Sequence, residues 1–151
     1  MARRPVLSDS ERETWTTYIT AATRLQRAID VDLQSRSGIS ASEFEILSSL
    51  WDAAEHRLRI SELAARIDWE RSRVSHLVKR MSGRGLLELA SCDEDGRGTW
   101  VLLTREGRLV LLRALRGHVE FLRQSFFDSV EPDQREALTA VSRRILDAVE
   151  P

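Results

Sequence analysis

The stretch "WERSRVSHLVKR", residues 69–80, places Arg71, Arg73, Lys79 and Arg80 within ten positions of a chain whose formal net charge is −1. A guanidinium presents its donors as a fork that fits phosphate oxygens and the edge of guanine. Ser72, Ser75 and His76 lie between these cations, and their hydroxyl and imidazole groups can reach base edges or phosphates. No acid occurs between Arg71 and Arg84. Across residues 56–84, eight basic residues (Arg57, Arg59, Arg66, Arg71, Arg73, Lys79, Arg80, Arg84) face three acidic ones (Glu62, Asp68, Glu70), a balance of +5 that leaves −6 elsewhere. A basic patch on an otherwise acidic molecule is the electrostatic footprint of docking on phosphates.

Other chemistry is sparse. His56, His76 and His118 lie far apart with no cysteine or carboxylate at ligand spacing, so no metal site and no cofactor is expected. Cys92 is the single cysteine, which excludes an internal disulfide. Asp93, Glu94 and Asp95 follow it and disfavour a thiolate, so it reads as a small filler or strand residue. The chain has no glycine-rich phosphate loop and no nucleophile–base pair, and an enzyme is not expected. Lys79 is the one lysine among 23 basic residues, a bias that fits a GC-rich genome better than a function.

The elements that must position the basic stretch follow from periodicity. With 151 residues, 42% apolar and 31% charged, the chain reads as one globular domain. No apolar run approaches the roughly 18 residues that span a membrane. The N-terminus "MARRPVLSDSERETW" has no apolar stretch behind its arginines, so a cytoplasmic protein with no membrane partner is expected. Trp15, Tyr18, Ile19, Ala22, Leu25, Ile29 and Leu33 fall at helical steps, and Gly38 suits a cap and turn. Ser40 and Glu43 form a capping box for a second helix with Phe44, Ile46, Leu47, Leu50 and Trp51 inward. "RISELAARI" predicts a short helix with Ser61 as N-cap and Ile60, Leu63, Ala64 and Ile67 inward. Residues 86–92 and 99–104 are β-prone and joined by "DEDGRG", which indicates a hairpin. A helix over about 105–128 carries Leu109, Leu112, Leu115, Val119, Leu122 and Phe126. "VEPDQREAL" opens a last one whose buried side is expected at Leu138, Val141, Ile145, Leu146 and Val149.

On a helical wheel Val74, Leu77, Val78 and Met81 share one stripe, while Arg73, His76 and Arg80 share another. A solvated helix face usually mixes signs at i,i+4, as "DQREAL" does and residues 71–84 do not. A short helix, a tight turn and this second helix have helix-turn-helix spacing, in which the second helix enters the DNA major groove. Asp68 stands at the turn where glycine is common, and aspartate tolerates left-handed backbone. At the hairpin tip Arg97 lies between two glycines, suited to a narrow minor groove; Asp95, two residues earlier, fits beside phosphate only if it pairs with an arginine and fixes its direction.

On these motifs the chain resembles the multiple antibiotic resistance regulator (MarR) family of bacterial winged-helix repressors. "ISELAARIDWERSRVSHLVKRMSGRGLLE" is similar to that family's helix-turn-helix and first wing strand. "DEDGRGTWVLLTREG" is similar to its wing signature, with Asp95, Arg97, Leu103, Thr104 and Gly107 in place. The expected fold is mainly α with a small β-hairpin wing. A winged helix-turn-helix over residues 40–104 would be flanked by dimerisation helices at 10–36 and 105–150, within a single domain 1–151.

The resemblance implies a homodimer that represses transcription from a pseudo-palindromic double-stranded operator. The apolar stripes of the terminal helices, with Trp15, Tyr18, Phe126 and Phe127, also ask for a partner. It further implies release by a small aromatic or phenolic effector. Trp15, Tyr18, Trp51, Trp69 and Arg113 could wall and anchor such a ligand, or the aromatics could pack in the core or dimer interface. Oxidation sensing in that family uses a cysteine in the first helix, where this chain has none. The competing reading is a winged-helix protein–protein interaction module, which would carry apolar or mixed-charge residues on the helix at 71–84.

Overall fold

A computed structural model describes residues 6–91 and 98–149. Helix α1 spans Asp9–Ser37, capped by Ser8 and stopped at Gly38, whose φ of 66° is left-handed backbone that glycine adopts without a Cβ penalty. Helix α2 spans Ala41–Trp51 with the expected box: the Glu43 amide donates to Ser40 Oγ and the Ser40 amide donates to the Glu43 carboxylate. Strand β1 (Arg57–Arg59) leads into α3 (Ile60–Arg66), and α4 (Arg71–Gly83) follows after a turn. Strands β2 (Leu87–Ser91) and β3 (Thr99–Leu103) then precede α5 (Arg105–Ser125) and α6 (Pro132–Val149).

The hairpin is present but is part of a three-stranded antiparallel sheet of order β1-β3-β2. Strand β1 was not expected, because "RLR" is too short to show alternation; it is defined by pairing Arg57 with Leu102 and Arg59 with Trp100. The same strand corrects the start of α3. Backbone stays extended through Arg59, so Arg59 is the cap, its amide donates to the Glu62 carboxylate at 2.8 Å, and Ser61 lies inside the first turn.

The chain divides into two compact units, residues 1–118 and 119–151. The first holds the core, in which Ile46, Leu47, Leu50, Leu63, Val74, Val78, Met81, Val101 and Leu111 are closed from solvent. The α4 stripe of Val74, Leu77, Val78 and Met81 is buried as expected, each side chain contributing roughly 1.5–3 kcal/mol of transfer free energy. Where β3 meets α5, the Gly107 amide donates to Thr104 Oγ1, and that hydroxyl lies 2.8 and 2.9 Å from the carbonyl oxygens of Gly85 and Leu86. A Cβ on Gly107 would collide with the Leu86 carbonyl oxygen, so only glycine lets α5 approach so closely.

Three apolar faces stay exposed; on α6 this departs from expectation, whereas on α1 it agrees with a stripe that asks for a partner. In α5 the buried residues of the first unit are Gly107, Val110, Leu111 and Ala114, whereas Leu109, Leu112 and Val119 stand in solvent. The α5 helix also stops at Ser125, short of 128, and a 3₁₀ turn over Phe127–Ser129 follows. All five α6 residues expected to be buried, Leu138, Val141, Ile145, Leu146 and Val149, are exposed, as are Trp15, Tyr18 and Ile19 on α1. These residues keep helical spacing, and they are exposed among the described residues.

Candidate nucleic-acid interface

The interface begins at the turn between α3 and α4. Asp68 takes φ of 52°, the left-handed conformation that the turn requires, and the Trp69 amide donates to the Ala64 carbonyl at 2.9 Å. This fixes the start of α4 and aims its polar side outward. Arg71, Ser72, Arg73, His76, Lys79 and Arg80 are exposed and Ser75 is half-buried. Arg71, Lys79 and Arg80 make no ion pair among the described residues.

A cleft of about 640 Å³ lies along this side, lined by Arg73, His76, Leu77 and Arg80 from α4 and by Ser40 and Ser42 from the start of α2. The three α4 residues that share the outer stripe are thereby brought together, with no acid among the lining residues. Arg73 is held from two sides. Its guanidinium carbon sits 3.6 Å from the Trp69 ring centroid, and Nη2 donates to Ser42 Oγ at 3.4 Å. Glu45 sits near enough to feel Arg73; loss of hydration raises its carboxyl above the ordinary range, and the arginine's charge pulls the other way. Ser40 and Ser42 were absent from the expected site, and the signal that could have found them is their place at the α2 N-terminus.

Two arginines counted in the basic patch pair with acids from outside the counted segment. Arg84 donates to Glu43 Oε1 at 2.8 Å, and Arg57 pairs with Glu55 at 2.7 Å. Arg57 and Arg59 also lie 4.8 and 5.4 Å from the Trp100 ring centroid, which places positive charge on one face of the sheet. The expected wing residues Asp95 and Arg97, together with Cys92, lie outside the described residues. Strands β2 and β3 are paired up to Ser91 and Thr99.

The five residues considered for an effector are not gathered at either described cleft. Trp15 and Tyr18 are exposed on α1, Trp51 stacks on His56 with centroids 5.4 Å apart, and Trp69 lies under Arg73. Arg113 reaches Glu106 and the Leu109 carbonyl on its own helix. The second described cleft, about 380 Å³, lies in residues 119–151 and is lined by Val119, Leu122, Arg123, Phe127, Asp128 and Arg135. Among the described residues no group of three or more His, Cys, Asp or Glu could hold a metal, and no helix is long and apolar enough to cross a membrane.

A three-stranded sheet behind a helix-turn-helix with a basic second helix defines a winged helix-turn-helix protein. The profile of the MarR family matches residues 37–98. A MarR family transcriptional regulator from Streptomyces coelicolor, solved in complex with DNA, superposes with a TM-score of 0.92 at 35% identity, covering 98% of this chain and 93% of that one. The PcaV transcriptional regulator of the same organism, solved with its natural ligand, gives 0.73 at 25% identity over 85% of this chain and 91% of that chain. The HTH-type transcriptional repressor YetL of Bacillus subtilis is 35% identical over 81 residues, which are 54% of this chain and 48% of that repressor, so the match spans about half of its length. The chain belongs to the MarR family of transcriptional regulators.

Proposed function

We propose that the chain is a sequence-specific double-stranded DNA-binding repressor that acts as a homodimer on a pseudo-palindromic operator. The observation that carries this reading is the acid-free cleft of Arg73, His76 and Arg80, flanked by Arg71 and Lys79. Helix α4 enters the major groove, where Arg73 reads a base edge and Arg71, Ser72, Ser75, His76, Lys79 and Arg80 contact bases or phosphates. Arg97, with Asp95 two residues before it in sequence, is assigned to the adjacent minor groove. The similarity to a relative solved with DNA supports this assignment.

Residues 40–104 form the DNA-binding part, and residues 10–36 and 105–150 form the dimerisation part of one domain. The solvent-facing apolar residues of α1, α5 and α6 are the surface a second copy would cover. Two-fold symmetry then sets half-sites roughly 34 Å apart. A repressor role is carried over from YetL, and binding of a ligand from PcaV, solved with its natural ligand; that the effector is a small aromatic or phenolic compound that releases DNA follows from the family resemblance alone. The chain works in the cytoplasm and catalyses no reaction.

Fluorescence anisotropy with duplexes from the intergenic DNA beside the gene tests the reading. Affinity should fall steeply with salt, by about 0.9 in log–log slope per phosphate contact. Arg73→Ala should reduce the preference for the operator over scrambled DNA. Equal binding of both duplexes by the wild-type protein, or none at low ionic strength, would refute it and favour a protein-binding module.

A further inference from the structure

The arginine that ends the recognition helix does not face the cleft. Arg84 follows Gly83 at the end of α4, and its Nη1 donates to Glu43 Oε1 at 2.8 Å while Nη2 donates to the Gly38 carbonyl at 2.7 Å. Gly38 is the cap of α1, and Glu43 belongs to the capping box of α2. One guanidinium therefore joins the ends of three helices across 41 and 46 positions of sequence.

The acceptor has no easy alternative. Glu43 is 6% exposed, and its other carboxylate oxygen already receives the Ser40 amide. Charge-assisted hydrogen bonds of this kind are the stronger ones, and a buried carboxylate stripped of its cation is left uncompensated. The same N-terminal turn of α2 supplies Ser40 and Ser42, the wall of the cleft opposite Arg73, His76 and Arg80. Arg84 thus ties the α2 wall of the cleft to the end of the helix that supplies the other wall. Through Gly38 it also fixes α4 against α1, the helix whose exposed Trp15, Tyr18 and Ile19 are part of the proposed dimer surface.

We propose that Arg84 is a positioning residue for DNA recognition: by tying the end of α4 to the α1–α2 junction, it transmits the placement of α1 to the recognition helix. The inference rests on the DNA-binding and dimer readings above. Arg84 acts through α4 and touches no phosphate. In the dimer it makes the distance between the two recognition helices rigid, so the operator is selected by half-site spacing as well as by base sequence.

The test compares wild type with Arg84→Met, Arg84→Lys and Glu43→Gln in anisotropy titrations across salt concentrations. Operators whose half-sites are moved apart or together by one or two base pairs are included, at a temperature where circular dichroism reports folded protein. Arg84→Met should weaken operator binding about tenfold. It should leave the salt slope at the wild-type value and flatten the preference among spacings. Glu43→Gln should do the same and add little to Arg84→Met, as members of one strut behave. Arg84→Lys, which keeps the charge but cannot fork to both acceptors, should recover part of the loss.

A salt slope reduced by about 0.9 would make Arg84 a direct phosphate contact and overturn the inference. Unchanged affinity and spacing preference in Arg84→Met, with only a lower melting temperature, would overturn it as well. In both cases wild-type binding in the parallel titration keeps the DNA-binding reading intact. Loss of wild-type binding itself removes that reading and this inference together.

Discussion

The Arg73 guanidinium rests 3.6 Å from the centre of the Trp69 ring, one turn before it in sequence, where helix α4 presents it outward. Trp69 packs against the core, so the platform is fixed, and a stacked guanidinium loses less freedom on meeting a base than a free one. Trp69→Leu should therefore cut the preference for operator over scrambled DNA by about fivefold, and Trp69→Phe should retain most of it. Competition binding with the two duplexes reads this directly. An undiminished preference in Trp69→Leu would mean that Arg73 needs no platform.

Gly107 tests the junction of wing and helix. A methyl group there meets the Leu86 carbonyl oxygen and the Leu103 side chain, and backbone cannot yield as a flexible side chain does. Gly107→Ala should destabilise the protein by about 3 kcal/mol, measured by urea unfolding. A change within experimental scatter would show that α5 can pull away from the sheet without cost.

The exposed apolar faces make a prediction about assembly. Leu112 is 48% exposed and Leu146 58% exposed in the single chain. Leu112→Glu and Leu146→Glu should leave the helical content of the chain intact and shift it from dimer toward monomer in sedimentation equilibrium. Carboxylates introduced at surfaces that stay in water would change neither quantity, and that result would count against the dimer surface.

His118 supplies a pH dependence. Its ring lies 4.8 Å from Phe44, and Nδ1 is buried without a hydrogen-bond partner among the described residues. Burial lowers its pKa below the ordinary value of about 6.5, while Asp32 opposes that shift. The unfolded chain therefore takes up the proton first as pH falls. The neutral ring's contribution is complete above about pH 6.5 and is lost as pH drops through the lowered folded value. Urea midpoints measured from pH 8 to pH 5 should decline in wild type and decline less in His118→Phe. Parallel curves would place the titrating group elsewhere.

Much of the arrangement was legible because it rests on local rules. The Ser40–Glu43 box, the left-handed Asp68 and the buried stripe of Val74, Leu77, Val78 and Met81 each follow from spacing within one helix or turn. What could not be read depends on partners distant in the chain. Strand β1 exists because β3 pairs with it, and three residues carry no periodicity of their own. The opposite destinations of Leu109 and Val110 in α5 depend on which face meets the core. Arg84 looked like one more cation of the patch, since its acid lies 41 positions upstream. Trp51 and Trp69 pair with His56 and Arg73, and nothing in their spacing tells of those neighbours.

The weld of Thr104, Gly107 and Leu86 has a bearing on how such a protein can diversify. At that root a single added carbon is a collision, whereas the paired strands beyond it can be lengthened two residues at a time on each side without turning any side chain to the wrong face. Variation in length is therefore open along strands β2 and β3 and closed at their root. Descendants of this chain could acquire longer or shorter wings while keeping the same hinge point against α5.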